Sequence, residues 1–176
     1  MAESFVYREL AGTSRRYWGL LALLGVPLAF GAAAYFYIEH YGHIVTGMDN
    51  QIVWGMPHVF AVFLVVAATG VLNVAIAASV FGKAIYRPLA PLSALVSLGL
   101  LVGGLALLML DLGRSDRMIV AVTQLNSQSV FALRVILYDG FMASVGVYLW
   151  FLLERRMNCY VKPAAIMAFL WQLLLI

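Results

Sequence analysis

Long apolar runs separated by short polar stretches organise this chain. Four of them exceed the roughly 20 residues that an α-helix needs to cross a bilayer. They extend over Tyr17–Ile38, Ile52–Phe81, Leu89–Leu110 and Val130–Leu153. A fifth run, Ala164–Ile176, is too short to cross. The pattern predicts an all-α integral membrane protein with four complete transmembrane helices in a bundle plus an incomplete fifth, so we expect a longer parent protein.

The same pattern divides the chain into three regions. Residues 1–16 form a cytoplasmic N-terminal lead, and residues 17–156 form the four-helix transmembrane bundle that would hold a ligand. Residues 157–176 contain a cytoplasmic loop and the truncated fifth helix.

Small and polar residues interrupt two of the apolar runs. Thr69, Gly70 and Asn73 lie in the second run, and Gly99, Gly103 and Gly104 lie in the third. Such residues let neighbouring transmembrane helices approach closely. They therefore predict helix contact rather than chemistry.

Composition supports a membrane location. Hydrophobic residues make up 64% of the chain, charged residues 11%, and the mean hydropathy is +0.96. Although the net charge is +3, the basic residues flank the apolar runs, which indicates topology rather than nucleic-acid binding. Eight lysines and arginines lie in the N-terminal lead and the second and fourth loops, against two in the third. We expect a multi-pass protein of the inner membrane with its N terminus in the cytoplasm.

Few residues are available to hold a metal or a haem. A single cysteine, Cys159, excludes an internal disulfide and an iron–sulfur cluster ligated by cysteines of this chain alone. His40, His43 and Asp49 share one loop, but their spacing is a weak metal signal. Because only one histidine lies within an apolar run, a pair of axial haem ligands is missing. We predict no metal and no haem.

That one histidine is His58, about six residues into the second predicted helix. An ionisable group at such a depth is unfavourable unless it has a partner or lines a cavity. Imidazole exchanges protons near neutral pH, and oxidation of a quinol releases two protons. One interpretation is a quinol site near the outer face with His58 as proton acceptor. The other is a histidine that only hydrogen-bonds a neighbouring helix or loop.

The fourth predicted helix differs from the others because it contains Arg134 and Asp139. Residues five apart point in different directions, so these two are poorly placed to neutralise each other. Arg134 and Tyr138 are four apart and share a face. The functional interpretation makes Tyr138 a hydrogen-bond donor to a quinone and Asp139 a step in proton transfer. The alternative is a structural ion network.

Two segments, Val53–His58 and Asp111–Arg117, resemble the integral membrane subunits of the polysulfide reductase (PsrC) and NrfD family. The chain is most similar to the DsrP-type subunit of the Dsr membrane complex of sulfur-metabolising microbes. Residues 46–48 and 88–92 strengthen the resemblance, while Ser115 stands where the family usually has proline. Since family members are longer, we expect only the N-terminal half here.

The resemblance implies a haem-free subunit that binds menaquinone or ubiquinone near the outer membrane face. It also implies electron exchange with a ferredoxin-like iron–sulfur subunit, sometimes with a multihaem c-type cytochrome and further membrane subunits. His58 stands where the family has a quinone-contacting histidine, and Tyr138 loosely matches a quinone-contacting tyrosine. We take His58 and Asp139 as candidate catalytic residues. The candidate quinone-binding residues are His58, Trp54, Arg134, Tyr138, Asp111 and Arg114.

Two other functions fit the same residues. In an ion- or proton-conducting half-bundle, Arg134 and Asp139 would gate ion passage and no quinone would bind. In a purely structural membrane anchor for redox partners, neither His58 nor Asp139 would take part in chemistry.

Overall fold

The computed structural model describes residues 14–49, 51, 55–111 and 130–175, except for the side chains of residues 43, 111 and 130–132. The described residues contain five α-helices and no strand. The helices are α1 (Arg15–Tyr41), α2 (Met56–Ser79), α3 (Ala90–Asp111), α4 (Val130–Leu153) and α5 (Val161–Leu175). The predicted all-α membrane architecture is therefore confirmed.

Five stretches are long and apolar enough to cross a membrane. The third includes the 3₁₀ turn Ala84–Leu89 that leads into α3, and the fifth includes the 3₁₀ turn Arg155–Tyr160 that leads into α5. The expectation of four complete spans and a partial fifth is close. It falls short at the fifth because the helical stretch begins at Arg155, ahead of the apolar run, and so reaches 21 residues.

Two serines hold α3 against α2. Ser93 donates a hydrogen bond to the carbonyl oxygen of Val71, and Ser97 donates to the carbonyl oxygen of Ala68 at 2.9 Å. Hydroxyl groups that bond across helices satisfy their own polarity where lipid offers no partner. These bonds fix α2 and α3 as the central pair of the bundle, beside a core that includes the buried Leu72.

The close approach of α2 and α3 depends on Gly104. A Cβ there would lie 3.1 Å from Val65 Cγ2 and 3.2 Å from the carbonyl oxygen of Ala61, so the contact predicted for this glycine is confirmed. A Cβ on Gly103 would lie 3.7 Å from Leu64 Cδ1, so the contact there is looser. A Cβ on Gly70 or on Gly99 would have nothing within 4 Å among the described residues, and the contacts predicted at these two glycines are not found.

α4 completes the bundle through its fully buried Tyr148. The tyrosine hydroxyl lies 2.7 Å from Ser79 Oγ and donates to the carbonyl oxygen of Ala75 at 3.1 Å. Both partners belong to the last turns of α2, so the C-terminal ends of α2 and α4 lie at the same end of the bundle. Phe141 and Val145, each fully buried, continue this face of α4.

α1 stands apart from this core. No residue of α1 is buried against the described part of the chain. Leu28 and Phe30 are 74% and 73% exposed, and its apolar side chains surround the whole helix. A helix that is hydrophobic on all sides is typical of a segment surrounded by lipid.

The start of α2 differs from the sequence-based expectation. The helix was predicted from Ile52, but it begins at Met56 with Gly55 as its extended N-cap, and Pro57 takes one of its first two positions. Proline fits there because its missing N–H needs no partner in the first turn. His58 is therefore the third residue of the helix rather than about the sixth, and the depth predicted for it is too great.

Candidate functional site

A cavity of about 460 Å³ lies between α2, α4 and the end of α5. Its size falls in the range of about 300–1,000 Å³ that is typical of small-molecule sites. Its walls are mostly aliphatic, with three polar side chains among them. The lining residues are Val62, Val65, Val66, Thr69, Leu133, Arg134, Leu137, Tyr138, Leu174 and Leu175.

α4 brings a cation and a phenol to this cavity. Arg134 and Tyr138 both line it, one helical turn or roughly 6 Å apart along the helix axis. Arg134 is exposed and Tyr138 is half-buried. The guanidinium and the phenol both donate hydrogen bonds, so this wall suits a ligand with acceptor oxygens.

The opposite wall offers an acceptor. The Thr69 hydroxyl donates to the carbonyl oxygen of Val66 at 2.7 Å. Its proton is therefore engaged, and its lone pairs remain available to accept a hydrogen bond. A molecule between the two walls would meet donors from Arg134 and Tyr138 and an acceptor from Thr69.

An amide pair closes the gap between α2 and α5 beyond the cavity. Gln172 Nε2 donates to Asn73 Oδ1 at 2.9 Å, and Gln172 is 3% exposed. Asn73 follows the lining residue Thr69 by one turn, and Gln172 precedes the lining residue Leu175 by three positions. Gln172 Oε1 is buried without a hydrogen-bond partner among the described residues.

Gly140 positions α5 beside this site. A Cβ on Gly140 would lie 2.6 Å from Trp171 Cη2, so the indole occupies the space that any larger side chain at position 140 would need. Gly140 lies two residues after Tyr138, and Trp171 lies three residues before the lining Leu174. The tight glycine–indole contact therefore sets the distance between α4 and the end of α5.

The other predicted site residues do not line the cavity. His58 is half-buried in the first turn of α2, four residues before the lining Val62, so it lies one turn toward the N-terminal end on the same side of the helix. Asp139 is exposed and faces away from the cavity wall formed by Arg134. Trp54, Arg114 and the side chain of Asp111 lie outside the described residues.

A tight contact explains the motif that precedes His58. A Cβ on Gly55 would lie 2.8 Å from Met48 Cγ and 3.2 Å from Thr46 Oγ1. The loop that includes the 3₁₀ turn His43–Thr46 thus packs directly on the N-cap of α2, and glycine is the residue that leaves room for it. This contact anchors the first turn of α2, where His58 lies.

Sequence reasoning missed three contributors to this region. Thr69 and Asn73 were interpreted only as helix contacts, and Gln172 lay in the run that was too short to count as a span. The sequence did contain a signal for Asn73 and Gln172, because a carboxamide within an apolar run needs a polar partner. The pairing of Asn73 with Gln172 nevertheless depends on how α5 folds back, which no local pattern gives.

Comparison with known proteins gives the family. The model of the family described as polysulphide reductase, NrfD, matches residues 44–175. The chain belongs to this NrfD family. It is also 35% identical over 165 residues to a Halobacterium salinarum protein described as a membrane subunit of dimethyl sulfoxide reductase. That match covers 88% of this chain and 37% of the relative, so the chain spans well under half of the relative's length. No solved structure matches the chain.

Family membership confirms the resemblance drawn from the sequence. The chain is thus an NrfD-family protein with helices long and apolar enough to cross a membrane. The matched residues include α2 to α5 and leave out α1, the helix without buried residues. The cavity therefore lies wholly within the part of the chain that the family model covers.

Proposed function

We propose that this chain binds a quinol, menaquinol or ubiquinol, in the cavity between α2, α4 and α5 and oxidises it, or reduces the quinone in the reverse direction. The observation that carries the proposal is the combination of Arg134, Tyr138 and Thr69 in an otherwise aliphatic cavity of about 460 Å³ inside a membrane bundle. A quinol has an apolar ring with two opposed polar oxygens. Aliphatic walls with polar groups on both sides suit that shape.

The three polar side chains of the cavity have different hydrogen-bonding roles. Arg134 and Tyr138 donate hydrogen bonds to one oxygen of the ligand, and Thr69 accepts from the hydroxyl of the other. Oxidation of the quinol to the quinone releases two electrons and two protons. The electrons pass to an iron–sulfur subunit of the complex, with a multihaem cytochrome and further membrane subunits as additional partners.

His58 and Asp139 act after the ligand has bound. Neither lines the cavity, so neither holds the ring. His58 lies one turn from the lining Val62 and accepts a proton that leaves toward the start of α2. Asp139, on α4 next to Tyr138, accepts the other. With the N terminus in the cytoplasm, the start of α2 faces the outer side of the inner membrane.

Binding of a menaquinol analogue to the purified chain in detergent tests this proposal. Trp171 is half-buried three residues from the lining Leu174, so quenching of its fluorescence reports occupancy. Arg134→Gln should weaken binding roughly tenfold or more, because a hydrogen bond to a charged group contributes about 1.5–3 kcal/mol. Tyr138→Phe should weaken it less. Arg15→Gln, an exposed cation at the start of α1, is the matched control and should bind normally.

The outcome that contradicts the proposal is equal binding by the wild type and by both cavity variants. An ion-conducting half-bundle makes a different prediction, since it needs Arg134 and Asp139 to act together on a path. The structure does not bring them together: Arg134 lines the cavity and Asp139 does not.

A further inference from the structure

Two 3₁₀ turns lie at one end of the bundle. Ala84–Leu89 connects α2 to α3, and Arg155–Tyr160 connects α4 to α5. Ring contacts tie the elements around them together: Phe81 meets Phe169 at a centroid distance of 6.5 Å, and Phe151 meets Tyr160 at 5.9 Å. Both turns follow the C-terminal ends of α2 and α4, which lie at the same end of the bundle, and we call the surface that the turns present there the basic end.

The basic end carries five cations and one carboxylate. The cations are all exposed; they are Lys83, Arg87, Arg155, Arg156 and Lys162. The carboxylate is Glu154, whose side chain accepts a hydrogen bond from the backbone N–H of Arg156 at 3.4 Å as the N-cap of the second turn. No ion pair within the described residues involves any of the five cations. Their charge is thus not neutralised by the described part of the chain.

Exposed apolar side chains stand among these charges. Ile85 is 77% exposed although it lies between Lys83 and Arg87, and Leu153, which ends α4, is 69% exposed. An exposed isoleucine between two cations is unfavourable in water. It is favourable at the boundary where lipid head groups meet acyl chains, because the apolar side chain enters the acyl region while the cations stay at head-group level.

We propose that the basic end binds the phosphate head groups of anionic phospholipids. The alternation of cations with exposed apolar side chains matches a molecule that has a phosphate above an acyl chain. Clusters of four to eight lysines and arginines beside transmembrane helices are attracted to anionic lipids by about 1 kcal/mol for each charge near the surface. Basic loops also orient membrane proteins during insertion. That role alone requires no lipid preference in the folded protein.

Lipid titration followed by native mass spectrometry tests the proposal. The detergent-purified chain is titrated with phosphatidylglycerol or with phosphatidylcholine, and the apparent Kd of the first bound lipid is measured. The wild type should bind phosphatidylglycerol more tightly. Arg155→Gln/Arg156→Gln should weaken phosphatidylglycerol binding by roughly fivefold for each charge removed and leave phosphatidylcholine binding unchanged.

The charge-preserving variant Arg155→Lys/Arg156→Lys is the matched control and should retain the preference. Because both side chains are exposed, thermal unfolding of either double variant should follow that of the wild type. Equal affinity of the wild type for the two lipids would overturn the proposal. So would unchanged phosphatidylglycerol binding after both arginines are replaced by glutamine.

Discussion

The side-chain amide of Gln172 on α5 donates a hydrogen bond to Oδ1 of Asn73 on α2, across 2.9 Å and within the span of both helices. The two partners are unequal, because Gln172 is 3% exposed while Asn73 is exposed. Loss of one partner therefore has a different effect from loss of the other. The pair also bounds the cavity, one turn beyond Thr69.

Replacement of Asn73 by leucine should destabilise the protein more than replacement of Gln172. Asn73→Leu leaves a buried carboxamide without any partner, which costs about 1–3 kcal/mol, whereas Gln172→Leu also removes the unpartnered Oε1. Unfolding free energies in detergent micelles measure the difference. The double variant should be less destabilised than the sum of the singles. Leu173→Ala, an exposed neighbour on α5, serves as control, and equal losses for the two single variants would contradict this account.

Gly140→Ala should destabilise the bundle by about 1–3 kcal/mol, the usual effect of overpacking. The added methyl group would lie 2.6 Å from Trp171 Cη2 and push α5 away from α4. Gly146 lies on the same helix with nothing within 4 Å, so Gly146→Ala should be neutral or stabilising by up to about 1 kcal/mol. Thermal unfolding of the two variants compares them directly. Gly140→Ala should also weaken ligand binding, because Leu174 and Leu175 move with the indole.

The contact between Met48 and Gly55 predicts a coupled pair. Gly55→Ala places a Cβ 2.8 Å from Met48 Cγ and should destabilise the packing of the loop on α2. Met48→Ala removes the clashing atom, so the double variant should recover part of the lost stability. A double-mutant cycle on the unfolding free energy measures the coupling. Purely additive effects would show that the loop does not rest on the glycine.

His58→Ala should lower the rate of quinol oxidation in the assembled complex by roughly 100-fold or more, since general acid–base groups contribute about 10²–10⁴. Binding of the quinol analogue should remain near the wild-type value because His58 does not line the cavity. Asp139→Asn should behave in the same way and Asp139→Glu should retain activity. Unchanged oxidation in both variants would favour a structural anchor.

The length of the apolar runs predicted the helices well, because a helix needs about 20 predominantly apolar residues to cross the hydrocarbon core. α4 begins and ends where the apolar run does, at Val130 and Leu153. The helix α2 begins at Met56 rather than at Ile52, because hydropathy alone does not mark the residue at which a helix starts within an apolar run. Arg134 and Tyr138 are four residues apart on one helix, and this separation was enough to predict that their side chains share one space.

Other parts of the site could not be predicted from the local sequence pattern, because they depend on contacts between helices. Trp171 packs against Gly140, a contact between residues on different helices beside the cavity. Leu174 and Leu175 line the cavity only because α5 folds back along α2. Asp139 is exposed and does not line the cavity, whereas Arg134 and Tyr138 on another side of α4 do.

The isolation of α1 has a consequence for how its sequence tolerates change. On α2, substitutions meet close neighbours on one face and none on the other, so tolerance should vary with the helical repeat. On α1 no position is buried against the described part of the chain, and exchange of one apolar residue for another alters neither packing nor transfer into lipid to a large extent. Saturation mutagenesis should therefore show uniform acceptance of apolar residues around its circumference and uniform rejection of charge.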